Sequence, residues 1–174
     1  MVELFQNQYI MKKLLLLAAA LLVVAGASAS SRKLKNSDTQ KFQYEIEGVN
    51  NGLQGSYLVK VWSYSARPKA DFETSKKNAV HGVIFKGYAG TQNARPQRPL
   101  IADPGTELEH AEFFDLFFKD GGEYNKYVTI TAGSQEIVKV GKQYKIGLVV
   151  SVSKDALRKA LEKAGVARSL SAGF

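Results

Sequence analysis

One segment restricts the possible folds of this chain more than any other, because it carries apolar side chains on both faces of a predicted strand. Residues 57–65 read Tyr-Leu-Val-Lys-Val-Trp-Ser-Tyr-Ser. One face would hold Tyr57, Val59 and Val61, and the other Leu58, Lys60, Trp62 and Tyr64. Apolar residues on both faces are typical of strands in the interior of a sheet, so we predict that this is a central strand.

The preceding segment predicts an antiparallel neighbour for this strand. Residues 42–47 alternate strictly and place Phe42, Tyr44 and Ile46 on one face. Residues 50–52 (Asn-Asn-Gly) tolerate positive φ angles, so the chain is expected to fold back at this point.

Apolar periodicity predicts three helices. The first covers residues 70–85, starts at an Asp71 cap after Pro68 ends the strand, and points five residues inward: Phe72, Ala79, Val80, Val83 and Ile84. The second starts with a capping box made by Thr106 and Glu109 and ends at residues 121–122 (Gly-Gly). The last is capped by Ser153 and closed by Gly165, with Leu157, Ala160, Leu161 and Ala164 inward.

Three further strands are predicted over residues 126–131, 135–140 and 144–152. The element order is therefore β-β-α-α-β-β-β-α. Strands in adjacent groups joined by short turns favour an α+β fold, and we predict a two-layer sandwich in which a mainly antiparallel sheet has its helices on one face.

The apolar pattern also predicts how the last two strands pair. A three-residue loop over residues 141–143 would place Val138 opposite Ile146 and Val140 opposite Tyr144. A two-residue loop would instead place a lysine opposite Val138, so we expect the longer loop.

The first 29 residues have the three-part layout of a secretory signal peptide. Lys12 and Lys13 precede an unbroken apolar run over residues 14–25, and Ala27 and Ala29 suit cleavage after residue 29. This run is well short of the roughly 20 residues that span a bilayer, so we expect removal rather than anchoring.

The sequence also predicts the boundaries of a leader and of a single domain. Met11 is an alternative start of translation, residues 30–41 form a polar and basic leader that we expect to be flexible, and residues 42–174 are the size of a single α+β domain.

Composition narrows the location and the partners. The chain has no cysteine, which excludes disulfides and attachment of a lipid through a cysteine at the cleavage site. Without its first 29 residues it keeps 22 basic and 15 acidic residues, a net charge of +7. We expect an exported, non-lipidated protein of the periplasm or the exterior. Its expected partner is another envelope protein or an anionic envelope surface rather than nucleic acid, with only peripheral membrane contact. A basic surface that merely keeps the protein soluble is the alternative.

No catalytic, cofactor or metal site is expected from the motifs. The chain has two histidines and neither a nucleophile elbow nor a phosphate-binding loop. His110 lies near four acidic residues, Glu107, Glu109, Glu112 and Asp115, but positions 109, 110 and 112 fan around a helix instead of converging on one face. A metal-dependent or hydrolytic enzyme centred on His110 is the alternative to a non-enzymatic protein.

The predicted second helix and the segment before it offer a candidate partner surface. The helix carries four phenylalanines, more than one buried stripe requires: Phe113, Phe114, Phe117 and Phe118. Residues 87–105 form a long irregular segment in which prolines flank Arg95 and Arg98. We predict that Arg95, Arg98, Phe114 and Phe118 bind a partner, with burial of the phenylalanines inside the domain as the alternative.

A second candidate surface lies on the central strand. Lys60, Trp62 and Tyr64 share one face and would form an aromatic and basic platform of the kind that stacks sugars or bases. Packing beneath another layer is the alternative.

Three segments carry a family resemblance: residues 59–64 (Val-Lys-Val-Trp-Ser-Tyr), residues 77–87 (Lys-Asn-Ala-Val-His-Gly-Val-Ile-Phe-Lys-Gly) and residues 140–147 (Val-Gly-Lys-Gln-Tyr-Lys-Ile-Gly). In these the chain resembles small exported proteins of Bacteroidetes bacteria. More remotely, the order of its elements is similar to the N-terminal domain of flagellar assembly protein T and to related surface lipoproteins, although it lacks their lipidated cysteine. The resemblance implies an envelope assembly or interaction module and assigns no active-site residue.

Overall fold

The computed structural model describes residues 42–50, 52–131, 133 and 135–168. The predicted signal peptide and the predicted leader lie outside the described residues. The five strands are β1 (Tyr44–Asn50), β2 (Tyr57–Ser65), β3 (Val128–Ile130), β4 (Glu136–Val140) and β5 (Gln143–Val152). The four α-helices are α1 (Phe72–His81), α2 (Thr106–Glu109), α3 (Ala111–Phe117) and α4 (Lys154–Lys163).

The strands form one antiparallel sheet with β2 inside it. β2 pairs with β1 along one edge and with β5 along the other, which confirms the predicted central strand and the predicted antiparallel pair. The far edge of β5 pairs with both β3 and β4. These two strands therefore run along the same edge of β5, separated by residues 131–135.

One face of the sheet supplies the core. Aligned apolar side chains on β2 and β5 are buried, with Val59 opposite Val150 and Val61 opposite Leu148. Helix α1 contacts β2, β3 and β5, and a Cβ added to Gly82 at its end would lie 2.7 Å from the Ile46 side chain of β1. The predicted α+β sandwich with a mainly antiparallel sheet is thus confirmed.

The first helix begins where the sequence predicts. The Asp71 side chain accepts hydrogen bonds from the backbone N–H groups of Glu73 and Thr74. Burial alone would raise the pKa of Asp71, but the bonds from Thr74 and Glu73 outweigh it and lower the pKa. The helix widens into a π-helical turn, Gly82–Lys86, so its predicted extent is close to the observed one. Phe72 is expected inward but is 51 % exposed at the first residue of the helix.

The second predicted helix is wrong in two respects. It is broken at His110 into α2 and α3, since His110 has φ −111° and ψ 33°, outside helical geometry. There is no capping box: Gly105 occupies the N-cap, no side chain caps the helix, and the N–H of Gly105 donates to Asp103 instead. Thr106 lies inside the first turn and is buried.

The register of β4 and β5 also differs from the prediction. Val138 pairs with Lys145 and Val140 with Gln143, so the loop contains two residues, Gly141 and Lys142. Gly141 has φ 60°, which suits the first position of a tight hairpin turn. All five residues of β4 are exposed, so burial does not select the apolar register that we expected.

The last helix follows the prediction in its main contacts only. Leu157 and Leu161 are fully buried, whereas Ala164 is exposed because it follows the final turn. Ser153 occupies the N-cap, but its side chain makes no capping hydrogen bond.

Candidate functional site: the solvent-facing side of the sheet

The predicted ligand platform lies on the side of the sheet opposite the core. Lys60, Trp62 and Tyr64 alternate along β2 with the buried Val59 and Val61, so the pleat directs them to solvent. Trp62 is half-buried and Tyr64 is 40 % exposed. Sequence and structure therefore agree on the common face of the three residues.

Gly147 forms the floor under the indole ring. It stands directly opposite Trp62 in the register of β2 and β5. A Cβ at this position would lie 2.8 Å from Cζ3 of Trp62 and 2.9 Å from Cε of Lys60. The ring thus rests against the backbone of β5, which requires a residue without a side chain.

Two ammonium groups flank the same ring. The Nζ of Lys60 is 4.3 Å from the centroid of the Trp62 ring, and the Nζ of Lys145 is 5.0 Å from it. Both distances fall within the range of cation–π attraction.

Carboxylates from neighbouring strands hold the polar atoms of the cluster. The indole Nε1–H of Trp62 donates to Glu47 at 3.0 Å, and the Tyr64 hydroxyl donates to Glu45 at 2.7 Å. Lys145 also donates to Glu45, at 2.7 Å, and Lys60 forms an ion pair with Glu136 of β4. We call these seven side chains the tryptophan platform: Glu45, Glu47, Lys60, Trp62, Tyr64, Glu136 and Lys145.

The pKa shifts agree with this network. Hydrogen bonds from Lys145 and then from Tyr64 lower the pKa of Glu45. The same bonds raise the pKa of Lys145 and of the Tyr64 hydroxyl, because the anionic Glu45 favours their protonated forms. At neutral pH three carboxylates meet two ammonium groups, so the platform combines donors and acceptors with little net charge.

Sequence reasoning found three of the seven members. It missed Glu45 and Glu47, although both alternate with the predicted core residues of β1 and must lie on the opposite face. It also missed Lys145 and Glu136, and the close approach of Gly147 to Trp62, because these contacts depend on the pairing of β5 with β2 and with β4. The alternation was available in the sequence, whereas the pairing was not.

The four residues predicted to bind a partner divide into two pairs. Phe114 is 3 % exposed and Phe118 is 2 % exposed, so both rings belong to the core and offer no contact surface in this fold. They pack against other rings, with the centroid of Phe114 4.9 Å from that of Phe85. Arg95 and Arg98 are exposed on the long segment.

The long segment over residues 87–105 packs against the sheet. Tyr88 and Gln97 exchange backbone hydrogen bonds at 3.0 Å, and the Tyr57 hydroxyl donates to the Gln97 side chain at 2.7 Å. Burial raises the pKa of Tyr88 to about 12. These contacts fix the base of the loop that carries the two arginines.

The two histidines have different surroundings. His110 is half-buried at the junction of α2 and α3. His81 is buried, with Nδ1 2.6 Å from the Tyr44 hydroxyl and Nε2 3.1 Å from Glu107. Since the carboxylate can only accept, a neutral His81 donates a hydrogen bond from Nε2 to Glu107 and accepts one at Nδ1 from the Tyr44 hydroxyl. Burial and then the charge of Glu107 raise the pKa of Tyr44.

Two negative findings concern the described residues only. No set of three or more His, Cys, Asp or Glu side chains in that part of the chain is arranged to hold a metal ion. No helix within it has the length and apolar character that crossing a bilayer requires.

The described structure defines an α+β protein whose five-stranded antiparallel sheet presents an aromatic, charge-paired face to solvent. No protein-family model, curated protein or solved structure matches the chain.

Proposed function

We propose that this protein is an exported, non-enzymatic binding module of the cell envelope, and that its tryptophan platform binds a neutral, hydroxyl-rich ligand such as a glycan chain. The observation that carries the proposal is the pair of aromatic rings on a solvent-facing sheet face, surrounded by paired carboxylate and ammonium groups. Export rests on the sequence of residues 1–29 and on the resemblance to exported proteins.

The aromatic rings suit the apolar side of a sugar. A pyranose presents C–H groups on its faces and hydroxyls at its rim, so it can cover an aromatic ring while its polar groups stay hydrogen-bonded. Trp62 and Tyr64 are two residues apart on one strand, which separates their Cα atoms by about 6.8 Å. Adjacent units of an extended oligosaccharide can therefore contact the two rings together.

The polar groups of the platform suit hydroxyls. Glu45 and Glu47 accept hydrogen bonds, while Lys60 and Lys145 donate them, and all four lie beside the rings. Exposed ion pairs of this kind are weak, so a hydroxyl can replace one partner at a small cost in free energy.

The charges of the platform favour a neutral ligand over a polyanion. Each ammonium group of the platform already faces a carboxylate, through the pairs of Lys145 with Glu45 and of Lys60 with Glu136. A polyanion would meet three carboxylates at this surface. The net positive charge of the chain therefore resides elsewhere on the molecule.

Intrinsic fluorescence tests the proposal, because Trp62 is the only tryptophan in the chain. The purified protein is titrated with a panel of neutral oligosaccharides, and with sulfated oligosaccharides for comparison. We expect at least one neutral oligosaccharide to shift or quench the emission in a saturable manner. An unchanged emission across the panel, or a response to sulfated sugars alone, would contradict the proposal.

Two truncations distinguish a specific effect at the platform from the effect of removing any exposed aromatic ring. Trp62→Ala should weaken binding measured by calorimetry by at least about tenfold, as expected for an aromatic residue at the centre of a contact. Phe72→Ala removes another exposed aromatic ring, on α1, and should leave the affinity unchanged. Equal losses in both variants would argue against the platform.

The exposed Arg95 and Arg98 support a second candidate function, attachment to an acidic envelope component through the long loop. Its fixed base, described above, holds both side chains at the surface. Pull-down from envelope extracts with wild type and with the Arg95→Glu/Arg98→Glu variant tests this candidate, and identical partner lists would eliminate the loop.

A further inference from the structure

Strand β4 is an exposed edge of the sheet that the described residues form. All five of its residues are exposed, including three apolar ones, Ile137 at 39 %, Val138 at 42 % and Val140 at 49 %. Among the described strands it pairs only with β5. An exposed edge with apolar side chains is a template for the addition of another strand.

The opposite edge of the same sheet is partly covered. The Thr91 hydroxyl of the long loop donates to the backbone carbonyl of Gly48 in β1. A Cβ on Gly48 would lie 2.7 Å from Ala94 and 2.7 Å from Tyr88, so the loop is pressed against that strand. Within the part of the chain that the structure describes, the long loop therefore covers part of the β1 edge, whereas every residue of β4 is exposed.

The hairpin turn determines which backbone groups of β4 point outward. In the two-residue turn, Val140 and Gln143 flank the loop and form a hydrogen-bonded pair. Hydrogen-bonded and non-hydrogen-bonded pairs alternate along an antiparallel ladder. The N–H and C=O groups of Ile137 and Lys139 consequently point away from β5 and are available to an added strand.

The charge of this edge indicates the chemistry of its occupant. Glu136 is neutralised by Lys60, whereas Lys139 on the strand and Lys142 in the turn add two positive charges. An added strand that alternates apolar and acidic residues would cover Val138 and Val140 with its apolar face and complement Lys139 with its acidic face. Two β4 strands paired with each other would bring the lysines of both copies together, so a second copy is the poorer fit.

We propose that β4 is a docking site for an extended, acidic segment of another protein, which binds by strand addition through Ile137 and Lys139. The site adjoins the tryptophan platform, with which it shares Glu136, but strand addition uses the outward backbone groups of β4 and does not depend on glycan binding.

The test uses a fluorescein-labelled peptide in which Glu alternates with Val, and a second peptide in which Lys replaces each Glu. Fluorescence anisotropy with the whole protein should show saturable binding of the acidic peptide only. Amide hydrogen exchange should show new protection at Ile137 and Lys139 in the complex. Equal binding of both peptides, or protection confined to other strands, would overturn the proposal.

Two substitutions separate backbone pairing from charge. Lys139→Pro removes an outward N–H that makes no bond to β5, and it should weaken peptide binding at least about tenfold. Lys139→Glu keeps the N–H, reverses the charge, and should weaken binding in a manner that high salt diminishes. Lys159→Glu, at an exposed lysine of α4, makes the same change of charge and should leave the affinity within about twofold.

The affinities of these variants can either support or overturn the proposed docking at β4. Binding that is unchanged in both Lys139 variants would overturn the proposal, as would concentration-dependent dimers of the free protein in light scattering that Lys139→Pro abolishes. If Lys139→Pro fails to fold, as judged by circular dichroism, Lys139→Glu and the exchange data on wild type still decide the result.

Discussion

The close approach of Gly147 to Trp62 allows the geometry of the platform to be tested without altering its aromatic chemistry. In Gly147→Ala the new Cβ would lie 2.8 Å from Cζ3 and 2.9 Å from Cε3 of the ring. Ordinary contact starts at 3.4 Å, so the ring must move outward by about 0.6 Å. The displaced indole should become more exposed, and its emission should shift to the red.

The effect on stability follows from two opposing contributions. Alanine in a strand is favoured over glycine by about 0.5–1 kcal/mol, because glycine loses more conformational freedom on folding. Overpacking costs about 1–3 kcal/mol, and a side chain at the surface can relieve part of that cost by moving. We therefore expect Gly147→Ala to lower the free energy of unfolding by about 0.5–2 kcal/mol.

A double-mutant cycle isolates the contact. In the Trp62→Ala background the ring is absent and the flexible end of Lys60 can move aside, so Gly147→Ala should become neutral or stabilising by up to about 1 kcal/mol. Urea denaturation followed by circular dichroism measures all four proteins. A coupling energy within about 0.3 kcal/mol of zero would refute the stacking of the indole on Gly147.

Three further predictions concern the fold. Asp71→Ala should lower the free energy of unfolding by about 1 kcal/mol at neutral pH through loss of the N-cap. Because the folded-state pKa of Asp71 lies below its usual value near 3.8, this contribution is present above about pH 4 and is lost as the pH falls through the folded pKa. The difference in the free energy of unfolding between wild type and variant, measured by urea denaturation, should therefore decrease as the pH is lowered. A constant difference down to pH 2 would contradict the capping role. Gly141→Val should cost about 1–2 kcal/mol because of the positive φ, whereas Gly141→Asn should cost less; equal costs would argue for the three-residue loop. His81→Ala should lower the free energy of unfolding by about 2–4 kcal/mol, since it leaves a cavity and removes the hydrogen-bond acceptor of the buried Tyr44 hydroxyl. A thermal melt like that of wild type would argue against this hydrogen bond.

Local patterns in the sequence predicted the parts of the fold that depend on neighbours along the chain. The alternation in β1 and β2 and the Asp71 cap are examples, because strand faces and helix caps are decided within a few residues. The common face of Lys60, Trp62 and Tyr64 follows from the same two-residue period.

Features that depend on distant parts of the chain were not predictable in this way. The break at His110 accompanies the contact of Glu107 with His81, 26 residues away. The hairpin between β4 and β5 has no buried face at β4, so apolar matching had no energetic basis there. The burial of Phe114 and Phe118 likewise involves α1 and its π-helical turn, which supply two of the rings that they contact, His81 and Phe85.

The central claim is that the solvent-facing side of the sheet is a binding surface, and the indole N–H of Trp62 reports on it directly. A two-dimensional 1H–15N spectrum contains one indole resonance, since the chain has one tryptophan. On addition of the oligosaccharide that binds most tightly, we predict that this resonance and the amides of Glu45, Glu47 and Gly147 shift together. Saturable shifts that cluster elsewhere and leave these four resonances in place would contradict the account.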